Sequence, residues 1–172
     1  YLMLIGFGVG LAVNMYMPDI SGRLNRYRIQ IEENYQTIFE EIAKYLRNGD
    51  TLWDGKQLIE SIELLDEAKA LAFQDVENHL TRRNNMYYLY FDMREKQLEI
   101  IERVLPKITA LPAIIEQSIL VADFLEEISL NVHPGDTAAK YREKLEQVKE
   151  DFAKMPLPTS HDTFLAQAAL YQ

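Results

Sequence analysis

The chain has no cysteine among its 172 residues, which excludes disulfides, thiolate metal sites and cysteine nucleophiles, and fits a reducing compartment. Histidine is scarce, with His79, His133 and His161 far apart. None of the three has a glutamate three positions before it, so the Glu-x-x-His pairs of a di-iron bundle are missing. Without cysteine, three scattered histidines give no zinc pattern either, and no metal or cofactor is expected. Runs of alternating β-branched residues are absent, and so are internal repeats and low-complexity tracts. Ser21, Ser61, Ser118, Ser129 and Ser160 lack the context of a nucleophile elbow. No catalytic set emerges, and the expectation is a protein that is not an enzyme.

Charge is missing in one place and abundant elsewhere. From Tyr1 to Pro18 there is no charged residue, in a chain whose formal net charge is -9. As a helix, residues 1–17 rise about 25 Å, close to the roughly 30 Å of a bilayer's hydrocarbon core. A signal peptide needs a basic start and a small-residue cleavage site, and neither is visible. A buried core helix would usually show a polar edge. The end of a transmembrane helix fits residues 1–18 best, and a chain that starts at Tyr rather than Met fits an excerpt of a longer protein. Gly6 and Gly10 form a G-x-x-x-G pair, a spacing that lets membrane helices approach closely.

Just beyond Pro18 come Arg23, Arg26 and Arg28, which with Asp19 give this patch +2, against -11 for the rest. Basic residues next to a membrane exit mark the cytoplasmic side and suit anionic lipid headgroups around residues 19–28. The alternative is a solvated charge run at a helix start. The acidic remainder repels phosphate backbones, so no nucleic-acid partner is expected. The expected location is the cell membrane, with residues 19–172 as one domain on the cytoplasmic side.

That domain reads as all-α, an antiparallel bundle of about five to six helices. Leu24, Tyr27, Ile31, Tyr35, Ile38, Ile42 and Tyr45 recur at steps of three and four, up to Gly49. Asp50 or Asp54 caps a second helix, with Leu58, Ile62, Leu65, Ala72 and Val76 inward. A third runs from about Asn84 to Leu105, with Tyr87, Phe91, Leu98, Ile101 and Leu105 inward, and Pro106 and Pro112 bracket a break. A fourth turns Ile115, Ile119, Ala122, Leu125 and Ile128 inward. Asp136 or Thr137 caps a fifth, with Tyr141, Leu145, Val148 and Phe152 regularly spaced, and a last helix starts near Ser160. Short loops make neighbours antiparallel.

One segment combines aromatic and polar groups: residues 75–101, "DVENHLTRRNNMYYLYFDMREKQLEII". Arg94 and Gln97 share a helix face at i, i+3, near Tyr87 and Tyr90. Tyrosine offers an aromatic wall with a polar tip, and arginine grips a carboxylate through two parallel hydrogen bonds. Such a set suits a planar aromatic acid. The other reading has the tyrosines as half-buried packing residues and Arg94 paired with an acidic neighbour.

The chain resembles the C-terminal domain of the putative aromatic acid exporter family of bacterial membrane proteins. The resemblance rests on "YFDMREKQ" at Tyr90–Gln97, "EN" at Glu77–Asn78, Gln117 in the fourth helix, Trp53 before the second, and "LPTSHDTF" leading into "QAALYQ". It implies a membrane portion upstream, a helical cytoplasmic domain and a part in moving small organic acids out of the cell. The ligand set the resemblance suggests is then Asn78, Tyr87, Tyr90, Arg94, Gln97 and Gln117. Where the family pattern leads one to expect an arginine near the end, Gln167 stands instead. The domain is expected to be regulatory, ligand-sensing or for assembly, with an aromatic acid as one candidate ligand. The alternative is a membrane-tethered interaction module without a ligand, a homo-oligomer formed by its long first helix.

Overall fold

The computed structural model describes residues 20–49, 52–78, 85–112, 114–133, 138–156 and 160–171. The apolar segment 1–18 and the proposed caps Asp50, Asp136 and Thr137 lie outside the described residues, as does His79. The described residues form six helices: α1 (Ile20–Asn48), α2 (Lys56–Asn78), α3 (Asn85–Thr109), α4 (Glu116–Ser129), α5 (Ala138–Lys154) and α6 (His161–Tyr171). The result is a helical bundle.

Helix α1 is its axis. Leu24, Ile31, Tyr35, Ile38, Ile42 and Leu46 are buried along it, and α1 packs against α2, α3 and α4. Its three-and-four stripe is therefore spent inside the bundle, so it is not free to form a seam with a second chain. Gly49 ends the helix at φ 72°, where its N–H bonds the Tyr45 carbonyl at 2.7 Å. Across the bundle, Tyr27 bonds Glu67 and Phe73 lies against Tyr88 (6.4 Å), so α2 runs against both neighbours. Glu32 meets Tyr90 and Tyr45 meets Thr109, so α1 and α3 run parallel. Arg47 bridges to Asp123 and Glu126, and Glu32 to His133, so α4 returns antiparallel to α1.

An up-down-up-down core of this kind has four seams, and one is filled differently. Among the described residues α3 and α4 do not pack directly, whereas α6 packs on both. Ala166 of this helix is fully buried. Helix α6 starts with reciprocal caps: the Thr163 N–H donates to Ser160 Oγ at 3.2 Å, and the Ser160 N–H to Thr163 Oγ1 at 3.0 Å. Helix α2 starts from Asp54, whose Oδ1 accepts the Lys56 N–H at 3.0 Å.

Two expected features differ. Helix α3 continues through Pro106 to Thr109, a turn past the expected break. Proline removes one N–H, but its carbonyl still accepts the Ala110 N–H at 3.1 Å and the Thr109 hydroxyl at 3.2 Å, so the last turn closes. In α4 the inward face is Gln117, Ser118, Ala122 and Ser129, while Ile119 is 44% exposed. Small side chains face α1 there and let the two backbones come close. Helix α2 shows the same rotation, burying Ser61, Leu65, Ala68 and Ala72 and leaving Ile62 exposed.

Candidate functional site

The parallel run of α1 and α3 puts two polar side chains of opposite charge inside the bundle. Glu32 is 2% exposed and Arg94 7% exposed. Neither is a residue a core should hold unless its hydrogen bonds are met. Arg94 donates from Nε to the Tyr90 hydroxyl at 3.0 Å, from Nη1 to Gln97 Oε1 at 3.0 Å, and from Nη2 to the Val132 carbonyl beyond α4. Its guanidinium also lies over two rings, 5.3 Å from the centroid of Tyr35 and 5.1 Å from that of Tyr90. The Tyr35 hydroxyl donates to Arg94's own carbonyl oxygen.

Tyr90 relays this set to Glu32. Its hydroxyl donates to Glu32 Oε1 at 2.7 Å, and Glu32 Oε2 lies 2.8 Å from His133 Nδ1. Arg28, one turn before Glu32, brings Nε to 3.9 Å from the carboxylate, and that nitrogen is buried without a hydrogen-bond partner. The chain of contacts thus ties α1, α3 and the segment after α4 into one polar seam. Burial pushes the Tyr90 phenol up to about 12; the Arg94 charge pulls the other way, and proton donation to Glu32 adds to the rise. Burial likewise lifts Tyr35 well above the usual phenol range, against the pull of Arg94.

The sign follows from linkage: a phenol whose folded pKa exceeds its unfolded value stabilises the fold fully below about pH 10 and loses that contribution toward pH 12. The urea midpoint is therefore expected to fall between pH 10 and 12, and to fall less steeply in Tyr90→Phe. Equal slopes for parent and variant would contradict it.

Of the six residues in the ligand set, the fold brings three together: Tyr90, Arg94 and Gln97. Tyr87, one turn earlier, stacks on Phe91 with centroids 6.2 Å apart and belongs to the packing layer. Gln117 is buried in the first turn of α4, whereas Val132 follows the last turn; the helix between them rises about 18 Å. The side chain of Asn78 lies outside the described residues. Open surface depressions lie between Tyr45, Gly49, Leu111 and Ser118, and between Arg23, Arg26, Tyr27 and Gln30; neither is lined by Arg94. Among the described residues no cluster of three or more His, Asp or Glu has metal-site geometry, and no helix is long and apolar enough to cross a membrane.

The basic collar divides. Arg23 and Arg26 are exposed on one face with Gln30, at i, i+3 and i+7. Arg28 sits on the other face, with Leu24, Ile31 and Tyr35, and points into the seam. The sequence reading missed Glu32 and His133. Glu32 carried a signal, a carboxylate beside Ile31 on the buried side of α1; His133, in a loop 101 residues away, carried none.

Residues 21–172 match the family described as the putative aromatic acid exporter C-terminal domain. The chain belongs to that family. It is 44% identical over 170 residues to the uncharacterized protein YqjA of Bacillus subtilis (strain 168), covering 99% of this chain and 53% of that protein. The chain thus spans about half the length of the relative it matches. Its fold is similar to a crystal structure of a putative membrane protein from Clostridium difficile 630, with TM-score 0.75 and 18% identity over 87% of this chain and 88% of that one. At that identity the likeness speaks for the fold alone. The stretch Tyr90–Gln97, on which the sequence resemblance rests, is the part of α3 that carries the Arg94 contacts. Trp53 is half-buried before α2, with Nε1 donating to Gln57 Oε1 at 2.7 Å, and Gln167 is half-buried in α6.

Proposed function

We propose that the chain is the cytoplasmic domain of a membrane exporter of small organic acids, and that it serves assembly or regulation rather than holding the exported acid or catalysing a reaction. The observation that carries this is the state of Arg94. It is the side chain best suited to a carboxylate, yet Nε, Nη1 and Nη2 each donate to an acceptor within the bundle. A carboxylate entering here would have to displace Gln97 and the Val132 carbonyl, and would face Glu32 through Tyr90. Such a seam holds helices in register. Membership of the exporter family supports the setting, and the exposed pair Arg23 and Arg26 offers the face that would meet anionic headgroups.

Calorimetric titration with benzoate and related aromatic acids tests the role. No saturable heat is expected at millimolar ligand, and the thermal midpoint should move by less than about 1 °C, since binding at a hundredfold excess over Kd stabilises by about 2.7 kcal/mol. Saturable binding that disappears in a folded Arg94→Gln variant would replace assembly by sensing.

A further inference from the structure

Helix α3 has two faces with different fates. One buries Phe91, Arg94, Leu98, Ile101 and Ile108 in the bundle. The outer one leaves Met86, Leu89, Met93, Ile100 and Val104 exposed, between 39% and 72% each. These five follow steps of three, four, seven and four, a continuous stripe along the helix. Other large apolar side chains are exposed elsewhere, such as Ile59, Phe73 and Phe164, but these five are aligned along one helix face, and alignment of that kind marks an interaction surface.

Beside the stripe, on the flank toward α2, run four charges in alternating order: Asp92, Lys96, Glu99 and Arg103. In the single chain Asp92 and Lys96 pair with each other at 2.6 Å and Asp92 lies 3.7 Å from Lys69 of α2, so a second copy would have to exchange or share these pairs. Reversing the helix reverses their signs. In an antiparallel pair related by a two-fold axis between Gln97 and Leu98, Asp92 stands opposite the second copy's Arg103, and Lys96 opposite its Glu99. That axis falls at the middle of α3, which spans Asn85–Thr109, so the two helices would overlap along their full length of about 37 Å. In the same register Met93 of one copy falls between Ile100 and Val104 of the other, a knob entering a hole. A parallel pair would put each charge opposite its like.

We infer that the outer face of α3 is a docking surface for a second copy of this chain, held as an antiparallel, two-fold pair. Its apolar stripe supplies the contact, and the self-complementary charges fix direction and register. The pairing rests on the assembly role proposed above, and the two fail separately: cross-linking reads the surface, calorimetry reads the ligand.

The absence of native cysteine makes the test clean. In the full chain, Lys96→Cys stands next to the axis, whereas two copies of Met86→Cys would sit about 34 Å apart. A short bismaleimide is expected to trap dimers of Lys96→Cys and none of Met86→Cys, while a mixture of Met86→Cys and Thr109→Cys yields the mixed dimer. Sedimentation equilibrium gives the second measurement. Lys96→Glu is expected to weaken association about tenfold, and adding Glu99→Lys to restore it. Trapping of Met86→Cys with itself, no trapping of Lys96→Cys at 100-fold protein dilution series up to about 0.5 mM, or no recovery in the double variant would each overturn the pairing. All these positions are exposed or face away from the core, so loss of the fold is checked by an unchanged helical circular-dichroism signal.

Discussion

Arg94→Met is expected to cut the stability of this domain by about 3–5 kcal/mol, the usual cost of removing one partner from a buried charged network. The substituted side chain fills similar space, so the loss comes from polarity, not volume. It leaves the Val132 carbonyl and Gln97 Oε1 without their guanidinium donor, takes from the Tyr90 hydroxyl the donor that orients it toward the buried Glu32, and removes the charge that lies over Tyr35 and Tyr90. For a domain of this size each kcal/mol moves the thermal midpoint by about 2–4 °C, so a fall of roughly 10 °C is expected by circular dichroism. Arg94→Lys should recover little, because an ammonium cannot reproduce the planar fork that reaches Tyr90, Gln97 and Val132 together. A shift under about 3 °C in Arg94→Met would show that the seam is not structural.

Phe91→Ala has a comparable expected effect by a different mechanism. The ring is fully buried, stacks on Tyr87 and meets the edge of Tyr90 at 5.4 Å between centroids. Its removal opens a cavity beneath the residue that links Arg94 to Glu32, and truncations of this kind cost about 3–5 kcal/mol. Leu89→Ala on the same helix should cost less than about 0.5 kcal/mol in dilute protein, because Leu89 is 54% exposed. Urea denaturation of the two variants at low concentration measures the contrast. Equal midpoints would mean that the inner and outer faces of α3 are wrongly assigned.

That contrast shows where sequence reasoning stopped. Periodicity located α1 and the inward Phe91, Leu98 and Ile101 of α3, because burial repeats with the helical turn. It failed on Ile62 and Ile119, which it turned inward. Ser61 and Ser118 take the buried places instead, since close helix approach favours small side chains, which hydropathy does not reward. For the candidate site, Tyr90, Arg94 and Gln97 were legible because they are neighbours on one helix. The family resemblance pointed to the same stretch and, through Gln117, to a residue at the far end of α4.

By itself, then, the sequence determined the all-helical class, the family, the absence of thiol chemistry and the stretch of α3 that matters. Local rules suffice for these, since helical periodicity and motif order are carried by residues close in the chain. Only the tertiary structure decided what Arg94 touches. Its opposite number, Glu32, lies 62 positions earlier, and the link runs through Tyr90 to a carboxylate that helix packing alone delivers. Whether an arginine waits for a ligand or is already engaged depends on which distant groups surround it. Here Tyr90, Gln97 and Val132 each engage one of its three nitrogens, which turns a candidate acid-binding residue into the tie between α1, α3 and the end of α4.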